Sequence, residues 1–517
     1  MSLFRAVSPY IAYLVNQILR TKIYPKRWGE GVVCPIHKKG PRNIKENFRP
    51  VTVLNSSSKI FERLLNDQIT EYVEAEHILS DDQHAYRAKR GTNTYWMDLM
   101  AKIADMRNRG LKVALLAFDL SSAFNVIDHD VLMKKLARVG FHEESLTMLR
   151  AFLKNRKVFT KIQDEFSDPA TVNIGTPEGG ICSPQLFSLA VQDYPMVAGR
   201  IVRNMKEKLR EGMSLLLHST MRAHVVEVET EAYADDSICI IGLRVDRGDW
   251  TRMQQAINES YSVVSKYFAA NGLKLNGSKT ELMIIGKSDK EPLLRVEEAG
   301  IVEQKIIKLL GAKMDNNLSF MPQAIEVTKQ VTSRLFNLKM LKQWASEDLM
   351  KRTAASMLLS RLYYLLESTA GEPKVMDKLQ KSQNAVARVV LGGTMMTNTG
   401  GMLQRLGWLN LENQARLQSC YWVRRAHVEK VAPFFADMMA VNVNNYYTRR
   451  KGLVLPYVPK TQVLERKLLF RGTKEYNKLQ LQCAPADDMY DFKETVTGKI
   501  RVRYHNHGVA GTHLGRE

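Results

Sequence analysis

The six residues AYADDS, positions 232–237, decide how this chain reads. Around them, residues 227–241 read as strand, tight turn and strand, with Asp235 and Asp236 at the turn. An Asp pair in a hairpin has an ordinary cause, because Asp tolerates turn geometry and bonds to its own backbone. Taken alone, the hairpin is better read as turn chemistry. Upstream, LKVALLAF at 111–118 is short, apolar and followed by Asp119, as a buried strand ending at a site would be. The pieces together say more. Nucleotidyl transfer needs two divalent ions about 3.5–4 Å apart, one activating the attacking oxygen and one steadying the leaving group. Hard magnesium ions take carboxylate oxygens. A strand-end Asp beside a hairpin-tip pair supplies them. Such carboxylates repel one another without metal, so the site is expected to be unstable until metal binds.

Outward from that centre the pattern is mixed helix and strand. A basic loop at 37–42 precedes a helical run at 57–76, where Ile60, Leu64, Leu65 and Ile69 recur at helical spacing. Residues 131–153 read as helix, and 171–184 as a Gly- and Pro-rich loop leading into a helical run at 185–192. Residues 253–270 form a helical pattern that stops at Asn271-Gly272. From 323 onward the chain is mainly helical, with candidates at 323–344, 348–367 and 375–391. The last part, from about residue 401, adds helix and two basic patches: Arg449, Arg450 and Lys451, then Arg466, Lys467, Arg471 and Lys474. No repeat period or low-complexity tract is present.

With 517 residues the chain is too long for one core, and roughly two to four packed units are expected. Lys and Arg number 75 against 54 Asp and Glu, a formal charge of +21 that points to a polyanionic partner. A basic protein without nucleic acid is the plainer alternative. The five cysteines are scattered and odd in number, which is no disulfide framework, and without a CxxC pair a structural zinc site is not expected. Residues 10–19 read as an amphipathic helix, and no stretch is long and apolar enough to cross a bilayer.

Seven blocks in order carry a resemblance: NFRPVTVLN (47–55), QHAYRAKRGT (83–92), AFDLSSAF (117–124), GTPEGGICSP (175–184), AYADDS (232–237), NGLKLNGSKTE (271–281) and LLGAKMDNNLSF (309–320). Together they resemble the ordered blocks of reverse transcriptases, specifically those of non-LTR, LINE-type retrotransposons. LQKSQNAVARVVLGG (379–393), LGWLNLENQARL (406–417) and FRGTKEYNKL (470–479) are similar to segments that follow the polymerase in that family.

The resemblance implies an α+β right-hand polymerase. Fingers and an N-terminal extension would occupy 1–110, an antiparallel-sheet palm 111–320, a helical thumb 321–395 and a helical, basic C-terminal region 396–517. It implies that Asp119, Asp235 and Asp236, with the Leu120 carbonyl, hold two Mg2+ ions, for which Mn2+ can substitute. Arg49 and Arg87 would grip the triphosphate, although single arginines are more often solvated surface charges. Phe124 would be a steric gate against the ribose 2′-hydroxyl, although a core aromatic is a serious competing reading. Gly179, in the glycine loop, would let backbone approach nucleotide and template. Lys279 would protonate pyrophosphate, although a surface lysine beside a helix is the plainer reading; Tyr233 would pack under the primer terminus, and 309–320 would form the primer grip. The implied partners are an RNA template, a DNA primer or target site and deoxynucleoside triphosphates, with no membrane. The implied setting is a ribonucleoprotein of nucleus and cytoplasm.

Two positions depart from the family pattern. Glu178 stands where the family usually has Gln, which should weaken nucleotide binding unless it is protonated or turned away. Asn125 stands where Asp is usual. These departures sustain a rival reading, a catalytically decayed or domesticated copy that only binds nucleic acid. An RNA-dependent RNA polymerase is a second rival, which Phe124 opposes, and a group II intron-type maturase a third. Nothing resembles the endonuclease that accompanies this enzyme in the family, so a truncated product or a fragment of a longer polyprotein is expected.

Overall fold

A computed structural model describes residues 2–211, 226–246, 248–440, 468–480, 492, 494–498 and 500. In chain order its strands are β1 (Glu30–His37), β2 (Phe48–Leu54), β3 (Lys112–Phe118), β4 (Arg156–Ile162), β5 (Glu165–Phe166) and β6 (Ala170–Val172). There follow β7 (Glu227–Tyr233), β8 (Asp236–Leu243), β9 (Glu281–Ile285), β10 (Arg295–Val296), β11 (Ile301–Val302), β12 (Ile306–Leu309) and β13 (Ala312–Asp315). The fold is α+β, and the sheet that carries the acids is antiparallel throughout, in the order β7-β8-β3-β9.

That sheet explains why 113–118 is continuously apolar rather than alternating. Both of its faces are covered, as in any strand buried between two layers. Ala114, Leu116 and Phe118 of β3 face one core, with Cys239 and Ile241 of β8 and Leu282 and Ile284 of β9. Val113, Leu115 and Ala117 face the other, with Ile238, Ile240, Met283 and Ile285. The first core is filled from the helices His129–Arg138, Ser183–Ala190, Met196–Glu211 and Thr251–Ala270. The second is filled from the helix Thr92–Asn108, through Tyr95, Trp96, Leu99 and Ile103, and from the β12–β13 hairpin. Leu115 and Leu116 are fully buried on opposite faces, each contributing roughly 1.5–3 kcal/mol of transfer free energy. Asp119 therefore follows a strand buried on both faces.

The second large sheet joins β1 and β2 antiparallel and β1 and β4 parallel. It draws strands from both sides of residue 110, so 156–172 lies with the segment expected to form fingers. Two expected helices are also divided. The run 131–153 becomes His129–Arg138 and Glu143–Leu153. Between them Gly140 takes φ +90°, where a Cβ would meet the Tyr72 hydroxyl at 2.5 Å. The run 348–367 becomes Glu347–Ala354, a π-turn at Ala355–Leu359, Ser360–Tyr363 and Leu366–Thr369, with Leu365 at φ 55°.

The helices Met321–Leu341, Glu347–Ala354, Pro373–Leu391 and Thr399–Leu406 share a third core. A fourth joins Leu411–Glu429, Pro433–Ala440 and Leu468–Gln480 to Met97 and Ala101 on the far side of the Thr92–Asn108 helix. The C-terminal helices thus dock behind the sheet. Of the expected basic patches, Arg449, Arg450, Lys451, Arg466 and Lys467 lie outside the described residues. Arg471 turns inward and donates to the Glu367 carbonyl and the Ser419 hydroxyl. Its guanidinium joins helices inside the fold and forms no surface patch. No helix among the described residues is long and apolar enough to cross a membrane.

Candidate active site

Sheet register brings the three acids together. Phe118, the last residue of β3, pairs with Ser237 of β8. Asp119 therefore leaves its strand beside Asp236. Tyr233 pairs with Asp236 across the two-residue turn Ala234-Asp235. Ala234 sits at φ 59°, a left-handed conformation that costs an L-residue roughly 1–2 kcal/mol. The strain is held from outside: the Gln83 side-chain oxygen accepts the Ala234 N–H at 3.1 Å. Segment 82–84 lies along β7, with the Ala232 N–H on the Asp82 carbonyl and the His84 N–H on the Ala232 carbonyl.

Burial in the cleft pushes the Asp235 carboxyl up, and the Asp119 charge adds to it. Burial, then Asp235 and Asp119, push Asp236 up to about 6. Lys279 Nζ lies 3.0 Å from Asp119 Oδ2, delivered by a chain that follows the Thr251–Ala270 helix and bonds Asn276 N–H to the Asp119 carbonyl at 2.8 Å. Leu120 forms a bridge with Leu275. The flanking bonds use Ser121 N–H and the Asp119 carbonyl, which leaves the Leu120 carbonyl outside the pairing. Asp119, Asp235 and Asp236 feel one another's charge at the ends of neighbouring strands, with one ammonium beside them. Their chemistry suits divalent cations, although among the described residues only His84, Asp98 and Glu231 have ligand atoms mutually within 4.8 Å.

Beside the acids is a cleft lined by Arg49, Tyr86, Phe124, Glu178, Gly179 and Ser183. Phe124 is half-buried and stacks on Phe187 with ring centroids 4.9 Å apart. It is at once packed against a core aromatic and part of the cleft wall. Arg49 Nε donates to Glu178 Oε2 at 2.8 Å. Asn125 Nδ2 donates to Glu178 Oε1 at 2.9 Å. Tyr233 packs edge-to-face on Tyr95, 6.4 Å between centroids. Gly179 takes φ +131°, and a Cβ there would lie 2.3 Å from the Thr52 carbonyl. Its glycine is required by the protein's own β2, which bonds Thr52 N–H to the Glu178 carbonyl.

Arg87 is a correction. Its side chain is 4% exposed and forks onto both Glu74 oxygens at 2.9 and 2.8 Å, with further bonds to the Leu79 and Ser80 carbonyls. That guanidinium is fully engaged inside the fold and is not presented to a triphosphate.

Sequence reasoning missed a buried polar network directly behind the turn. His84 Nε2 lies 3.0 Å from Glu231 Oε2 and 3.6 Å from Asp98 Oδ2. Lys102 Nζ lies 2.8 Å from both Asp82 and Glu231. The His84, Asp98 and Glu231 donors are close enough together to hold an ion, but Lys102 already supplies the counter-charge. The network fastens segment 82–84 to β7, and Asp98 Oδ1 also accepts the Phe435 N–H of the C-terminal helices at 2.8 Å. One signal was available: Asp98 and Lys102 are an i,i+4 charged pair in an otherwise apolar helical run.

Residues 36–314, more than half the chain, match the family described as "Reverse transcriptase (RNA-dependent DNA polymerase)". The chain is 24% identical over 336 residues to a probable RNA-directed DNA polymerase from transposon BS of Drosophila melanogaster, covering 64% of this chain and 34% of that protein. For the corresponding X-element protein of the same fly the values are 23% over 328 residues, 63% and 33%. It is also 23% identical over 299 residues to a Pol polyprotein from the type-1 retrotransposable element R2 of Nasonia vitripennis, covering 57% and 26%. The chain thus spans about a third of the length of the first two relatives. Among solved structures it is similar to apo telomerase from Candida tropicalis, at 10% identity and TM-score 0.36 over 96% of this chain and 74% of that one. The chain belongs to the reverse transcriptase family, on its non-LTR retrotransposon branch.

Proposed function

We propose that this chain is an RNA-directed DNA polymerase that extends a DNA primer on an RNA template with deoxynucleotides. The observation that carries the proposal is the convergence of Asp119, Asp235 and Asp236 at one end of the palm sheet, beside a cleft holding an arginine and an aromatic wall. Those three carboxylates, with the Leu120 carbonyl, would hold two Mg2+ ions, or Mn2+, which would supply activation of the primer 3′ oxygen and charge stabilisation at the leaving pyrophosphate.

The remaining work falls to side chains. Arg49, whose side chain is 60% exposed, presents a guanidinium to the triphosphate. Phe124 fills the space a ribose 2′-hydroxyl would need. Lys279 balances Asp119 in the resting site and carries a proton at Nζ for the departing pyrophosphate. Tyr233, held against Tyr95, supports the primer end, and the β12–β13 hairpin lies against the primer backbone. The excess of Lys and Arg suits a duplex gripped through its phosphates, so affinity should fall steeply with salt. A ribonucleoprotein of nucleus and cytoplasm is the setting that the family suggests.

Primer extension on an RNA template with deoxy- or ribonucleotides tests this reading. The parent is expected to use deoxynucleotides, and Phe124→Val to gain ribonucleotide incorporation by roughly one to two orders of magnitude, the worth of a few buried contacts. Equal use of both sugars by the parent would favour an RNA-dependent RNA polymerase instead.

A further inference from the structure

We infer that Glu178 is a positioning residue, held by Asn125, that aims Arg49 at the incoming triphosphate. The inference rests on the polymerase reading above and concerns the two positions where this chain departs from its family. The two departures touch. Asn125, just past the first catalytic strand, donates to one oxygen of Glu178 at 2.9 Å, and Arg49 of β2 donates Nε to the other at 2.8 Å. Glu178 is only 13% exposed in its side chain, and its carbonyl accepts Thr52 N–H at 2.6 Å. The residue therefore ties the palm, the glycine loop and the fingers sheet together at the floor of the cleft.

The chemistry of each group decides what the tie does. A guanidinium offers five N–H donors in a rigid fork. Glu178 takes the Nε side, and the two terminal nitrogens of Arg49 have no partner among the described residues. The Asp235 charge acts on the same guanidinium, which places it between the acids and the cleft. Phosphate oxygens can be bound by those terminal nitrogens while Nε stays on Glu178. The carboxylate orients the arginine instead of competing for it.

The pair Asn125–Glu178 carries one negative charge. Combining Asn125→Asp with Glu178→Gln moves that charge to position 125 and keeps both the total and the bonding. The amide introduced at 178 can donate to the carboxylate introduced at 125, while the amide oxygen accepts from Arg49. Glu178→Gln alone removes the counter-charge from Arg49. Asn125→Asp alone sets two carboxylates at hydrogen-bonding distance, where both cannot ionise cheaply. Asn125 and Glu178 thus hold one negative charge between them, and changing either alone unbalances the support of Arg49.

The test is a double-mutant cycle on the full chain: parent, Glu178→Gln, Asn125→Asp and the double variant. One readout is KM and kcat for deoxynucleotide in primer extension. The other, which needs no turnover, is the melting shift caused by Mg·dNTP on protein bound to a dideoxy-ended primer–template. Each single variant is expected to raise KM about tenfold with kcat changed far less, the worth of one charge-assisted bond, and the double to return to within about threefold of the parent. The nucleotide-induced melting shift should follow the same order. Additive losses, a Glu178→Gln variant that binds nucleotide more tightly, or changes confined to melting without nucleotide would overturn the inference. A parent that fails to extend while the nucleotide shift still follows the cycle would sink the polymerase reading and leave this one standing.

Discussion

Replacing Lys102 by Met should unfasten the Ala234-Asp235 turn from behind. Lys102 is 2% exposed, and its ammonium lies 2.8 Å from both Asp82 and Glu231 and donates to the Thr230 carbonyl at 2.9 Å. Met preserves most of the stem, so the change removes charge rather than volume. It leaves Glu231, which is 0% exposed, without its cation. Breaking one partner out of a buried pair costs roughly 3–5 kcal/mol. The loss should depend on pH. Burial pushes Glu231 up to about 8 and Asp98 up to about 7, while Lys102 pulls both down. Acids whose folded pKa lies above the unfolded value bind protons on folding. Their contribution therefore declines as pH rises from about 4, the unfolded value, through the folded values. Without Lys102 those folded values rise further, so the deficit should be largest above about pH 8 and smallest near about pH 5.5. Guanidinium unfolding of parent and variant across that range measures it. A second variant, Lys102→Met with Glu231→Gln, removes both charges and should recover more than half the loss. A deficit under about 1 kcal/mol, or one independent of pH, would refute the reasoning.

Arg87→Met should destabilise by roughly 3–5 kcal/mol, because it strands Glu74 and two carbonyls. KM for deoxynucleotide, read in primer extension below the melting range, should move less than about twofold; a large KM effect would return Arg87 to the triphosphate. Magnesium at about 100 times its Kd should stabilise the protein by about 2.7 kcal/mol, and an Asp235→Asn, Asp236→Asn variant should lose that gain. Asp236 is raised to about 6, so its ionisation burdens the metal-free fold as pH rises through that value. The magnesium gain, followed by thermal melting, should therefore grow above about pH 6 and fade below it.

The acids and the strands that carry them were legible because their signals are local. A run of six apolar residues, 113–118, and a two-residue turn mark β3 and the β7–β8 hairpin without reference to the rest of the chain. Helices at Ser56–Ala75, Thr251–Ala270, Met321–Leu341 and Pro373–Leu391 fall where the periodicity puts them. What stayed hidden depends on partners distant in sequence. The parallel pairing of β1 with β4 leaves no local mark. Arg87 looks like any basic residue until Glu74 and the 79–80 carbonyls are seen around it. Glu178 and Asn125 look like two separate losses until they prove to share a hydrogen bond. Asp98 and Lys102 lie in a stretch that carries no motif, and only assembly shows that their charges meet those of His84 and Glu231. The break at Leu365 has no helix-breaking residue to announce it: the cost of a Leu in left-handed geometry is offset by its burial in the core.

The central claim is that Asp119, Asp235 and Asp236 perform templated deoxynucleotide addition. Primer extension on an RNA template with magnesium or manganese, comparing the parent with Asp235→Asn, Asp236→Asn, tests it most directly, with primer–template binding measured alongside. The account predicts extension by the parent, none by the variant and similar salt-sensitive binding by both. A folded parent that binds primer–template and extends nothing, or a variant that extends as well as the parent, would contradict it.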